Sequence, residues 1–231
     1  MKRIISDIYS FLLWAHMVLF FILWPLLALP FSLIFGRRRS FRFFFKVLLK
    51  LILLVFGLYP RVKGKENIPK GKNVILMSNH PGFLDPFQLN AALPGSYNFV
   101  VFAKILFNPL ALLSIRSAGF VVRSFGHSLV ASRTIINVTK EINKGDSFVL
   151  FPTEHVVING HITKVKKGFY KIISDTNAVI LPVHISGGIR IRYPKNPYRA
   201  KIVIGKPLNK NDILRGGDLF IRNAISHLSS H

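Results

Sequence analysis

The 231-residue chain contains no cysteine. That excludes a thiol nucleophile, a cysteine-ligated zinc site and a disulfide framework, though it assigns no redox compartment. No G-x-S-x-G elbow occurs, so the usual serine nucleophile of an α/β hydrolase is missing as well. Internal repeats and low-complexity stretches are absent. Acidic residues are scarce: nine Asp and Glu stand against 32 Lys and Arg, a net charge of +23. The chain is nevertheless 50% hydrophobic, with 21 Phe. High positive charge beside high apolarity points to a surface that meets anions next to apolar material. Anionic lipid headgroups fit that description best. Phosphate backbones would also attract the charge, but no RNA- or DNA-binding module is recognisable, and no nucleic-acid partner is expected.

Residues 1–60 differ from the rest and read as an N-terminal membrane anchor. The stretch "IYSFLLWAHMVLFFILWPLLALPFSLIF" (8–35) has no Lys, Arg, Asp or Glu. It exceeds the roughly 20 apolar residues needed to cross a bilayer. It is too long for a cleavable signal peptide, and no small-residue cleavage site follows. Lys2 and Arg3 precede it and "GRRRSFR" (36–42) follows, which favours both ends facing the cytoplasm. Pro25 and Pro30 are expected to bend or end a helix. A second apolar run, "FFFKVLLKLILLVFGLY" (43–59), carries Lys46 and Lys50 four apart on one helical face. A re-entrant or interfacial hairpin accounts for these features better than one clean span. Arg37–Arg39 then read as a cluster at the membrane surface.

Residues 61–231 form the second domain. "RVKGKENIPKGKN" (61–73) reads as a linker into it. Strands are predicted at 73–78, 98–104, 119–123, 147–152, 178–186 and 200–208. Helices are predicted at 128–145, 166–177 and about 210–229, the first with a glycine suited to its C-terminus. The alternation predicts an α/β domain: a mostly buried mixed sheet flanked by helices.

Within it, "SNHPGFLDP" (78–86) follows the strand over 73–78. Active-site loops of α/β folds sit at the carboxyl ends of strands. Pro81 and Gly82 can bend the chain so that Asp85 reaches one ring nitrogen of His80. The other nitrogen would then be free to take a proton. His-x4-Asp also arises by chance, so the spacing by itself favours an unrelated loop over a catalytic pair.

This stretch resembles the first motif of the glycerophospholipid acyltransferases, the family that includes 1-acyl-glycerol-3-phosphate acyltransferase. Further stretches resemble the family's other motifs in the same order. "AKILFNPLALLSIRSAGFVVRS" (103–124) is similar to its second region, placing Lys104 and Arg123 on basic positions. "SFVLFP" (147–152) and "VKKG" (165–168) flank its third motif. "VILPVHISG" (179–187), with Pro182, resembles the fourth, and "IGKPL" (204–208) the closing strand. The resemblance implies an acyl transfer with no covalent enzyme intermediate, no metal and no bound cofactor. His80 would be the general base and Asp85 its partner. Arg123, and less directly Lys104, would hold the acceptor phosphate, since a guanidinium offers it a planar fork. Asn79 and Gly82 would shape the loop.

The third motif departs from the family's Phe-Pro-Glu-Gly-Thr-Arg. Here "FPTEHVV" (151–157) puts Thr153 at the glutamate position and Glu154 at the glycine, with Val156 in place of arginine. A one-residue slip restores Glu154 but no arginine. Val122 stands where the second motif usually has aspartate. Glu154 and His155 read either as a headgroup contact or second proton-transfer pair, or as a solvent-facing turn. His184 reads as a core histidine.

The expectation is a membrane-bound enzyme at the cytoplasmic face. It would move a fatty acyl chain from acyl-CoA or acyl carrier protein to a lysophospholipid, foremost 1-acyl-glycerol-3-phosphate to give phosphatidate. Another lyso-lipid acceptor is the alternative. A non-catalytic basic membrane-surface protein is the rival outside enzymology.

Overall fold

The computed structural model describes residues 2–82, 84–102, 109–123, 128–153, 164–187 and 200–230. It opens with two long helices, α1 (Lys2–Phe35) and α2 (Arg37–Val55). They fold back on each other at Gly36, whose φ of 82° suits a residue without a side chain. The turn therefore falls after the prolines rather than at them. Pro25 and Pro30 both lie inside a continuous α1. Leu13, Met17, Phe20, Trp24 and Ala28 recur every three or four residues and bury one stripe of α1. Phe41, Phe45, Leu49 and Leu53 do the same on α2. The Trp24 indole N–H donates to Phe41 O at 2.7 Å, and Tyr9 donates to Phe56 O near the other end of the pair. Each fully buried side chain in these stripes contributes about 1.5–3 kcal/mol.

The inner stripe does not close on itself. Phe45 packs against Phe120 with ring centroids 5.0 Å apart and against Phe87 at 6.2 Å. The hairpin and the body thus share one hydrophobic core. Outside it, Phe11, Leu19, Leu26, Phe43, Leu51 and Val55 remain exposed. Asp7–Phe35 is long and apolar enough to cross a membrane by length and composition.

Two basic residues expected at headgroups turn inward instead. Arg38 pairs with Asp146 and with Glu141 at 3.2 Å. Lys46 donates to Leu93 O and Gly95 O at 2.5 and 2.7 Å, where the end of a helix leaves carbonyls unpaired.

The body begins with β1 (Arg61–Lys63) and a 3-10 turn at Lys65–Asn67. This stretch is therefore sheet rather than linker: Arg61 N–H donates to Ala200 O at 2.9 Å. A short, polar edge strand lacks the apolar alternation that marks strands in sequence. There follow β2 (Val74–Ser78), α3 (Asp85–Ala92), β3 (Tyr97–Asn98), β4 (Val100–Phe102), α4 (Pro109–Ala118), β5 (Val121–Arg123) and α5 (Ser128–Asn143). Then come β6 (Ser147–Leu150), α6 (Lys167–Ser174), β7 (Val179–Ser186), β8 (Lys201–Ile204) and α7 (Lys210–Ser226). A 3-10 turn, His227–Ser230, follows α7.

Six strands form one mixed sheet in the order β1-β8-β7-β2-β6-β3, with β7 and β8 antiparallel and the other pairs parallel. The single strand expected over 98–104 is divided. β3 ends the main sheet, while β4 pairs with β5 in a separate two-stranded sheet. The break at Phe99 changes sheets without interrupting the apolar run, so hydrophobicity does not reveal it. Central β2 is buried at all five positions, as expected for a parallel strand covered on both faces. His184, on β7, is half-buried opposite Val203.

Candidate active site

Parallel pairing of β6 and β7 on either side of β2 decides where the site lies. Met77 pairs with Leu150 and Ser78 with Val183. The carboxyl ends of three central strands therefore lie side by side. The loops leaving β2 and β6 meet there, although their sequences are about seventy residues apart.

The loop after β2 is anchored at Asn79. Its Nδ2 donates to Ile185 O at 2.8 Å, and Ile185 N–H donates to its Oδ1 at 2.7 Å. His80 comes next. Pro81 and Gly82 turn the chain, and Asp85 N–H donates to Gly82 O at 3.2 Å. That turn starts α3 with Asp85 in its first turn and Pro86 beside it. Pro86 suits a helix start, where a missing N–H costs nothing.

His80 Nδ1 and Asp85 Oδ2 are 2.8 Å apart, and Gly82 N–H donates to the same oxygen at 2.7 Å. The Asp85 side chain is fully buried, whereas that of His80 keeps 14% of its surface exposed. The difference matters: the carboxylate is shielded while the imidazole can be reached. Burial pushes the Asp85 carboxyl above its ordinary range. The bonds from His80 and Gly82 pull it back, as does the positive end of α3. Asp85 Oδ1 has no partner among the described residues. With Nδ1 tied to the carboxylate, Nε2 is left to exchange a proton.

The His80 ring lies flat against Phe151, with centroids 4.0 Å apart and planes 15° from parallel. Both belong to the wall of a cavity of about 410 Å³. Its lining is mostly apolar, including Phe87, Phe99, Phe120, Val149 and Phe169. Lys166 and Lys167 are the charged residues among those lining it. An apolar chamber with a few polar groups at one place is the usual form of a small-molecule site. Thr153 is buried two residues beyond Phe151, and Lys166 N–H donates to Pro152 O at 3.0 Å.

Of the residues selected from sequence, Asn79, His80, Gly82 and Asp85 stand in one hydrogen-bonded loop, and Thr153 lies just beyond the end of the neighbouring β6. Lys104, Glu154 and the side chain of Arg123 lie outside the described residues, as do His155 and Val156. Among the described residues no group of three or more His, Asp or Glu gathers as a metal site. Phe151 is not among the residues selected from sequence, although it stands at the matching first position of the third motif and at the carboxyl end of a buried strand, one residue before Pro152.

The acyltransferase family profile matches residues 60–186, more than half of the chain and all of the loop just described. The chain belongs to the acyltransferase family. A curated relative of this acyltransferase is the 1-acyl-sn-glycerol-3-phosphate acyltransferase of Borreliella burgdorferi. The two are 33% identical over 144 residues, covering 58% of this chain and 54% of the relative. The acyltransferase thus spans about half the length of that protein. Among solved structures, the 1-acyl-sn-glycerophosphate acyltransferase of Thermotoga maritima shares its fold with a TM-score of 0.82. It is 18% identical, with coverage of 100% of this chain and 99% of that one.

Proposed function

We propose that this acyltransferase moves a fatty acyl chain from an acyl thioester, acyl-CoA or acyl carrier protein, to the free hydroxyl of 1-acyl-glycerol-3-phosphate, giving phosphatidate. The observation that carries the proposal is the 2.8 Å His80–Asp85 pair on the wall of an apolar cavity. His80 Nε2 takes the proton of the acceptor hydroxyl as its oxygen attacks the thioester carbonyl. Asp85, bonded to Nδ1, holds the tautomer and balances the charge of the imidazolium. The carbon–sulfur bond then breaks, and the imidazolium returns its proton to the leaving thiolate. The cavity accommodates the acyl chain, and Lys166 and Lys167 offer positive charge to a phosphate. The name of the Borreliella relative supports the choice of acceptor.

The exposed apolar face of the hairpin is the natural contact with a bilayer, since patches of this kind mark membrane or partner surfaces. The basic flanks of α1 support the cytoplasmic leaflet as the side of that contact. An acceptor with a different headgroup is the second reading. It is favoured by Thr153 and Val156, which stand where the family has glutamate and arginine.

The test is acyl transfer by the purified, detergent-solubilised chain. Oleoyl and palmitoyl thioesters are offered against a panel of lyso-lipids, with His80→Ala beside the unchanged protein. Turnover on lysophosphatidate that vanishes in His80→Ala supports the first reading. Turnover on another lyso-lipid alone moves the acceptor. Turnover that survives in His80→Ala removes His80 as the base, and no turnover on any acceptor rejects both readings.

A further inference from the structure

The hydrogen bond to Asp85 fixes His80 at one atom only. An imidazole tethered at Nδ1 can still swing about the Nδ1···Oδ2 line, which would carry Nε2 off the direction a hydroxyl must approach. Phe151 blocks that swing on one face of the ring. Its ring lies 4.0 Å from the imidazole and nearly parallel to it, within van der Waals contact. Phe151 itself is held. It follows β6 directly, and Pro152 behind it confines its backbone to an extended conformation. Pro152 O accepts the Lys166 N–H at 3.0 Å, tying this point to the start of α6. The flat face also has an electrostatic use. A ring that becomes an imidazolium is attracted by the negative face of an aromatic neighbour, and an aliphatic side chain of equal bulk offers no such attraction.

We infer that Phe151 is a positioning residue for His80: its ring clamps the imidazole in the plane set by Asp85 and cushions the charge gained during proton transfer. This rests on His80 being the general base proposed above. The inferred role acts on the proton-transfer step, so it should be read in kcat rather than in substrate binding.

The test uses the full chain in detergent with Phe151→Leu, Phe151→Met and Phe151→Tyr, each checked for folding by circular dichroism. Two readouts are taken: kcat and KM with oleoyl-CoA and 1-oleoyl-lysophosphatidate, and the carbon-bound ring protons of 13C-labelled His80, assigned by their loss in His80→Ala. Phe151→Leu and Phe151→Met should lower kcat about tenfold or more with little change in KM, whereas Phe151→Tyr should keep most of it. In both aliphatic variants the His80 ring protons should move downfield, because the ring current above the imidazole is gone. Unchanged kcat in both aliphatic variants, or a loss confined to KM, would overturn the inference and leave Phe151 as a cavity wall. His80 resonances that do not move would overturn it even if the chain showed no turnover on these substrates, an outcome that would separately sink the proposed reaction.

Discussion

Asn79 and Ile185 are joined by two hydrogen bonds, of 2.8 and 2.7 Å, between one side-chain amide and both backbone groups of the other residue. An amide can do this because it offers a donor and an acceptor together. The residue before His80 is thereby tied to the strand next to β2. Asn79→Ala would leave both buried backbone groups of Ile185 without these partners, at a cost of about 1–3 kcal/mol. Asn79→Asp keeps an acceptor but loses the donor. Both variants should unfold at lower urea concentration, and both should lose more kcat than KM. An Asn79→Ala protein with unchanged stability and turnover would show that the clamp does not hold the loop.

Asp85→Asn should separate stability from activity. Its folded carboxyl titrates above the unfolded value, chiefly through burial. Such a group contributes stability that is fully present below the unfolded value and lost as pH rises through the folded one. Asparagine carries no charge to bury, so at pH 7 the variant should melt no lower than the unchanged protein. The gap should close as the pH falls and Asp85 is protonated. Turnover should nevertheless fall by about 10²–10⁴, the usual range for acid–base catalysis. Thermal melts at pH 7 and pH 4, beside rates at pH 7, check both halves.

Asp146 ties the hairpin to the body. It accepts from Arg38, from Arg42 at 3.3 Å and from Asn98 Nδ2 at 2.8 Å. Its side chain is only 11% exposed, against 41% for Arg38. Removing the carboxylate takes a charged partner from both arginines, although Glu141 still meets Arg38 and Asn98 still meets Arg42, so Asp146→Ala should cost about 1.5–3 kcal/mol. Arg38→Ala should cost under about 1 kcal/mol, because water screens its end of the pair. Urea midpoints of the two variants check the order; equal losses would contradict it.

His184 should contribute to acid lability. Burial and the nearby Lys201 both lower its tendency to take a proton. A histidine depressed in this way contributes stability above the unfolded value near 6.5. That stability is lost as the pH falls through the lower, folded value. In His184→Gln the drop in melting temperature between pH 7 and pH 5 should be smaller than in the unchanged chain. A drop of the same size would show that His184 stays neutral without cost.

Much of the site was legible because it is local. His80, Gly82 and Asp85 lie within six residues, and the turn that joins them needs only Pro81, Gly82 and the start of α3. The fold class was legible for a similar reason: buried strands and amphipathic helices each leave a period of their own. Polar β1 carries no such period and read as a linker. The β3–β4 change of sheet hides inside an apolar run. Arg38 belongs to a run that reads as a membrane-surface cluster and Lys46 to a helix that reads as interfacial, and only their partners show that they face inward.

The sequence by itself determined the absence of thiol chemistry, the long apolar front, the strand–helix alternation and the His80–Asp85 spacing. Each is set by residue type or by separations of a few positions. Only the tertiary structure decided that Ile185 clamps Asn79, that Phe151 lies on His80, and that Asp146 receives the hairpin's arginines. The first two contacts follow from the order β7-β2-β6 and from which strands run parallel, and the third from how the hairpin packs on the body. Periodicity reports which face of an element is buried, but a burial pattern is the same whichever neighbour covers it.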